Sequence, residues 1–143
     1  DATDEQMWEA LRIAQAADFV SELEGGLEAR IAQGGTNVSG GQRQRLSIAR
    51  ALVKEPAIYV FDDSFSALDV ATDARLRAAL APATANRATL IVAQRVATIR
   101  YADEILVLEH GRIVGRGTHD ELLASSRTYQ EIVDSQLSAE EAA

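Results

Sequence analysis

Cysteine is absent from this chain of 143 residues. Disulfides, thiolate metal ligands and a cysteine nucleophile are therefore excluded together. Lysine is nearly absent: of 14 basic residues only Lys54 is not arginine, and it is followed by Glu55-Pro56. A phosphate-binding P-loop needs Gly-Lys followed by Ser or Thr, so these residues hold none. The longest unbroken apolar runs, such as Ala57 to Phe61, are strand-sized, far short of the roughly 18 residues of a membrane span. No basic, apolar N-terminal segment resembles a signal peptide, so the chain reads as cytoplasmic.

What is present suits a folded domain. The hydrophobic fraction of 47% and this length are enough for one real core, with no compositional reason to expect disorder. Against the 14 basic residues stand 22 acids, a net charge of −8, which argues against a general nucleic-acid binder. The first residue is Asp1 rather than Met, so the chain is read as a piece of something longer.

Met7, Trp8, Leu11, Ile13, Ala14 and Ala17 recur at helical spacing, predicting a helix over 4–17 capped by Thr3 or Asp4. A shorter helix passes through Phe19 and Leu23 and ends at Gly25-Gly26. Gln33-Gly34-Gly35-Thr36-Asn37 is too glycine-rich for a regular element. Leu46, Ile48, Ala49, Leu52 and Val53 predict a helix from Ser39 to just before Pro56. Ala57 to Phe61 reads as a strand buried on both faces, and Thr89 to Ala93 as a second. Between them a helix opened by Asp69 or Thr72 runs through Leu76 and Leu80 and stops near Pro82. Ile105–Leu108 and Ile113–Val114 predict a hairpin joined by Glu109-His110-Gly111-Arg112. Thr118-His119-Asp120-Glu121 is a capping box opening a C-terminal helix, frayed over 138–143. Alternating strands and helices give an α/β class with a mostly parallel sheet. Two buried strands and a hairpin make that sheet thin for a doubly wound fold.

Three segments carry chemistry. Ser39-Gly40-Gly41-Gln42 stands where loop becomes helix. A serine cap and two glycines leave backbone N–H groups open at the positive end of the helix dipole, a ready phosphate site; a side chain there would hold the anion away. The same tetrapeptide also serves as a plain cap, with Gln42 closing a box on Ser39. Arg43, Arg45 and Arg50 come next, either as a solvated face or as positive field near the anion. Ile58 to Asp63 is an apolar strand ending in two carboxylates, where α/β folds place ligand and metal groups. Asp62 could hold Mg²⁺ and Asp63 could orient or deprotonate a water; equally, two acids leave a strand and cap the next turn. Ser66-Ala67-Leu68-Asp69 reads alone as a turn with an aspartate cap.

In this order and spacing the three segments resemble the signature motif, Walker B strand and D-loop of the nucleotide-binding domain of ATP-binding cassette (ABC) transporters, in the style of the exporters. Asn37 to Arg45, Ile48 to Leu52, Asp103 to Leu108, Gly111 to Val114 and Gly117 to Leu122 extend the likeness, which runs from the first helix to about residue 136. It implies a partial P-loop NTPase fold without the P-loop: a helical subdomain over 1–54 and the C-terminal half of the catalytic core over 55–143. It also implies ATP and Mg²⁺ as cofactors. Ser39, Gly40, Gly41, Gln42 and Asp69 would bind nucleotide, Asp62 the metal, and Asp63 and Gln94 would be catalytic. The implied partners are a second nucleotide-binding domain and the transporter's own transmembrane domain, at the cytoplasmic face of the cell membrane, with no nucleic acid.

Two departures from the pattern matter. After the Walker B aspartate the family has glutamate, but here it is Asp63, whose carboxylate falls short by roughly 1 Å; a misplacement of that size can cost on the order of a hundredfold. The family's switch histidine comes after the next strand, but here the run is Ala93-Gln94-Arg95. Gln94 donates a hydrogen bond but carries no charge. His110 and His119, in a turn and a cap, read as structural. Together the departures imply a degenerate site on this subunit and an intact signature lent to a different partner, hence a heterodimer. The fragment alone is expected to be inactive. The competing expectations are a homodimeric exporter with Asp63 as base, a soluble cassette ATPase of DNA repair or translation, and a binding module lacking a P-loop.

Overall fold

A computed structural model describes residues 2–141. Its contacts divide the chain into two compact units, residues 1–92 and 93–143.

The first unit orders α1 (Asp4–Ile13), α2 (Ala17–Glu22), α3 (Gly40–Leu52), β1 (Ile58–Asp62), α4 (Val70–Thr84) and β2 (Ala88–Val92), with single 3-10 turns at Gly26–Glu28 and Gln33–Gly35 between α2 and α3. Local chemistry starts each long helix. Thr3 and Gln6 close a capping box on α1, Ser39 and Gln42 close one on α3, and the Asp69 side chain accepts from Thr72 N–H to open α4. Strands β1 and β2 pair in parallel, Tyr59 opposite Thr89 and Asp62 opposite Val92. Tyr59 and Phe61 stack on each other and point into a core with Leu11, Ile48, Leu52, Leu76 and Leu80. Leu76 is fully buried, and removing a leucine so placed costs about 2–5 kcal/mol. A separate apolar cavity of about 260 Å³ lies among the helices, lined by Met7, Leu11, Leu27, Leu46 and Val53.

Three expectations change here. The first helix ends at Ile13 rather than 17, because Gln15 adopts a left-handed φ of 57°. Gln15 N–H donates to Arg12 C=O and Ala16 N–H to Leu11 C=O, the paired bonds of a Schellman stop. The α4 helix passes Pro82 and ends at Thr84, whose hydroxyl donates to the Leu80 carbonyl; near a helix end the missing proline donor removes a single bond. The strands are not buried on both faces. Ile58, Val60, Leu90 and Val92 are half or more exposed, because side chains alternate along a strand and the core covers only the Tyr59 and Phe61 side.

The second unit orders α5 (Val96–Ile99), β3 (Ile105–Glu109), β4 (Arg112–Gly117), α6 (His119–Ser125) and α7 (Arg127–Glu141). His110 and Gly111 both take positive φ, 48° and 74°, as a two-residue type I′ hairpin turn requires. Thr118 and Glu121 form the capping box that opens α6. The helix expected after it breaks at extended Ser126 into α6 and α7. The core is Ile105, Val107, Leu122 and Tyr129, with the Tyr129 hydroxyl 2.8 Å from His119 Nδ1. Residues 138–141 continue α7 where fraying was expected, and 142–143 lie outside the described residues. No helix among the described residues is long and apolar enough to cross a membrane.

Candidate functional site

The start of α3 is built by its own cap. Ser39 Oγ accepts from Gln42 N–H at 3.1 Å, and Gln42 Oε1 accepts from Ser39 N–H at 2.8 Å. That box satisfies one end of the helix and leaves the Gly40 and Gly41 N–H groups, among the first donors of α3, without an intrahelical acceptor. They fit an anion, with the helix dipole behind them. The cap formed by Ser39 and Gln42 therefore leaves room for an anion at the same helix start.

Gly41 has a second reason to be glycine. A Cβ there would sit 3.1 Å from the Ala67 carbonyl oxygen, whereas at Gly40 it would meet only Ala67 Cβ at 3.6 Å. The α3 start is thus packed backbone to backbone on the segment after β1.

Arg43 and Arg45 are engaged by backbone carbonyls. Arg43 Nη1 donates to the Gly34 carbonyl at 2.7 Å. Arg45 Nη1 donates to the Gln15 carbonyl, and its guanidinium lies 5.0 Å above the Phe19 ring. Both tie α3 to the preceding loops, while Arg43 and Arg50 stay exposed, as the solvated-face reading has them.

Asp62 ends β1, and Asp63 comes next with φ of 48°, left-handed for a residue other than glycine. Its N–H donates to the Val92 carbonyl at 2.9 Å. Its carbonyl accepts from Ser66 Oγ at 3.1 Å and from Gln44 Nε2 at 3.2 Å. Both carboxylates are exposed, and neither makes a hydrogen bond or ion pair among the described residues. No group of three or more His, Asp or Glu is arranged for a metal among them. One carboxylate joined by phosphate oxygens suits Mg²⁺, so the exposed Asp62 could supply one ligand to it. Asp69 is engaged otherwise: its carboxylate accepts from Thr72 N–H at 2.9 Å, and this backbone bond holds its pKa below the usual carboxylate value.

The first unit therefore gathers Ser39 to Gln42, Asp62, Asp63 and Asp69. Gln94 belongs to the second, with an exposed side chain and a carbonyl that accepts from Gln136 Nε2 at 2.7 Å. Gln44 and Gln136 were not singled out from the sequence. Each is an amide whose partners lie 19 or more residues away, and no local pattern marks it.

A family model described as ABC transporter matches residues 2–66, which include the α3 cap, β1 and the turn after it. An uncharacterised ABC transporter ATP-binding protein of Mycobacterium tuberculosis is 53% identical over 134 residues, 94% of this chain and 23% of that protein. This chain is part of an ABC transporter ATP-binding domain. An ATP-dependent lipid A-core flippase of Salmonella typhimurium is 46% identical over 128 residues, 90% of this chain and 22% of that protein. Among solved structures, a bacterial Atm1-family ABC exporter with ATP bound superimposes with a TM-score of 0.92 at 36% identity, covering 96% of this chain and 24% of that one. The domain fragment spans less than a quarter of the length of these relatives. Its two units together carry the partial ABC ATPase fold expected from the motifs, without a P-loop within these residues.

Proposed function

We propose that these residues belong to the motor of an exporter and serve two ATP sites unequally. Residues 1–54 act as the helical subdomain and 55–143 as half of the catalytic core. Ser39, Gly40, Gly41 and Gln42 hold the phosphate end of an ATP bound to a second nucleotide-binding domain. Asp62, Asp63 and Asp69 serve this subunit's own nucleotide, and Gln94 carries the switch role that the motif order implies. When bound there, Mg²⁺ neutralises phosphate charge. Asp63 orients water poorly because its carboxylate stops one methylene short, and Gln94 donates a hydrogen bond without charge. The second domain is a different subunit, and a transmembrane domain of the same transporter, at the cytoplasmic face of the cell membrane, receives the motion.

One observation carries this reading. The α3 cap is complete and the Gly40 and Gly41 N–H groups have no intrahelical acceptor, while the residue after Asp62 is a short carboxylate. The Atm1-family likeness, solved with ATP bound, supports the exporter assignment. The test uses the full-length transporter with its partner subunit. Ser39→Ala and Gly41→Asp should abolish ATP turnover, while Asp63→Asn should change it less than about threefold. The opposite ranking favours a homodimer with Asp63 as base.

A further inference from the structure

Gln44 lies two residues past the α3 cap, turned away from Gln42. Its side-chain amide makes three hydrogen bonds to the segment after β1. Nε2 donates to the Asp63 carbonyl at 3.2 Å and to Ser66 Oγ at 3.0 Å, and Oε1 accepts from Ala67 N–H at 2.9 Å. The amide's orientation is dictated by its partners. A carbonyl only accepts and a backbone N–H only donates, so turning the amide over would oppose oxygen to oxygen and donor to donor. Ser66 Oγ, while accepting from Gln44, itself donates to the same Asp63 carbonyl at 3.1 Å.

These bonds converge on a residue under backbone constraint. Asp63 holds its left-handed φ between the Val92 carbonyl bonded to its N–H and the Gln44 and Ser66 donors on its C=O. Its peptide groups are pinned on both sides while its carboxylate is left exposed. A group that must aim a carboxylate at water needs this division of labour. The Gly41 backbone, packed against the Ala67 carbonyl, keeps α3 and this segment in contact at the point where Gln44 bridges them.

We propose that Gln44 is a positioning residue that couples the two ATP sites. It ties the helix whose start serves the partner's nucleotide to the loop that aims Asp63 in this subunit's own site. The proposal rests on the functional reading above. A shift of α3 on engaging the partner's nucleotide is then transmitted through a single amide to the Asp63 peptide.

The test is steady-state ATP hydrolysis by the full-length transporter with its partner, reading kcat and KM separately. Gln44→Met keeps the length of the side chain and loses all three hydrogen bonds. On the wild-type background it should lower kcat no more than Asp63→Asn does, less than about threefold, and leave the KM for ATP within about twofold. In an Asp63→Glu background the same change should lower kcat about tenfold, because the longer carboxylate depends on the same peptide for its aim. A Gln44 that merely supports the fold would reduce both backgrounds equally and in step with the melting temperature. Ser66→Ala in the same Asp63→Glu background, exposed and missing one of the three partners, is the second variant, with an expected kcat loss of about threefold. If wild type turns over ATP and loses that activity on Gly41→Asp, yet in the Asp63→Glu background folded Gln44→Met and Ser66→Ala both keep kcat within twofold, the coupling role is overturned and the functional reading stands. If wild type hydrolyses no ATP, the functional reading itself fails.

Discussion

Gln136 on α7 grips the segment that carries Gln94: its Nε2 donates to the Gln94 carbonyl at 2.7 Å, and its Oε1 accepts from Val96 N–H at 2.8 Å. One side chain thus satisfies an acceptor and a donor on either side of Arg95, where the backbone is extended and no helix or strand ladder is available. The clasp orders the start of α5, a helix of only four residues. Short helices have little stability of their own, so the grip sets how often this segment opens.

Replacing Gln136 with alanine removes both bonds. At about 1 kcal/mol for a neutral hydrogen bond, opening around Val96 should become roughly fivefold to thirtyfold more frequent. Hydrogen exchange at the Val96 amide reads that directly, and amides inside β3 serve as the control. Unchanged exchange at Val96 would show that the clasp is not what orders the segment.

Asp63 and Gln94 are each one step from the residues the family places there, glutamate and histidine. Restoring both in the full-length transporter should raise turnover at least about tenfold, with either single change giving less. Longer reach at 63 supplies aim, and an imidazole at 94 supplies a charge-bearing donor. A double variant no faster than wild type would remove the case for a degenerate site.

Gly115 is glycine for a packing reason. A Cβ there would come within 3.1 Å of Leu122 Cδ2 and of Ser126 Oγ, and 3.2 Å from Val107 Cγ2. Those atoms belong to α6, its C-terminal break and the facing strand, all in one small core. Gly115→Ala should therefore destabilise by about 1–3 kcal/mol through overpacking, measurable by urea unfolding. Gly40→Ala, whose new methyl meets only ordinary contact at 3.6 Å, should unfold close to wild type.

Features with short reach were legible in the sequence. The boxes Ser39–Gln42 and Thr118–Glu121 need only residues three apart, and the His110-Gly111 turn needs only two left-handed positions between alternating apolar residues. Features decided by distant partners were not. The stop of α1 falls at Gln15, a residue with no intrinsic preference for left-handed φ, and Arg45, 30 residues on, holds its carbonyl. Apolar runs at Ala57–Phe61 and Leu90–Val92 showed strands but not which face would be covered, because a run without alternation carries no face. The anion-site glycines were read by chemistry alone, and only the packed Ala67 carbonyl revealed a second demand on Gly41. For Arg43 and Arg45 the sequence left a solvated face and a positive field open, and neither pattern marks the carbonyls of Gly34 and Gln15 that they bind.

Asp69 links the D-loop to pH. Its carboxylate accepts the Thr72 N–H, and that backbone bond, more than any other cause, lowers its pKa from the ordinary 3.8. The unfolded chain then binds this proton more readily than the folded one. The cap's electrostatic share of stability is complete above about pH 5, begins to fade as the pH nears 3.8, and is lost as the pH falls through the lower folded value. Asparagine keeps an oxygen to accept the same N–H but cannot ionise. Melting temperatures of wild type and Asp69→Asn should therefore differ most at neutral pH, wild type being higher, and converge below pH 4. Glu121, lowered in the same way by Thr118, adds its own fading to both proteins and cancels in the comparison. A gap that stays constant from pH 7 to pH 3 would mean that the ionised carboxylate adds nothing beyond what a neutral cap supplies.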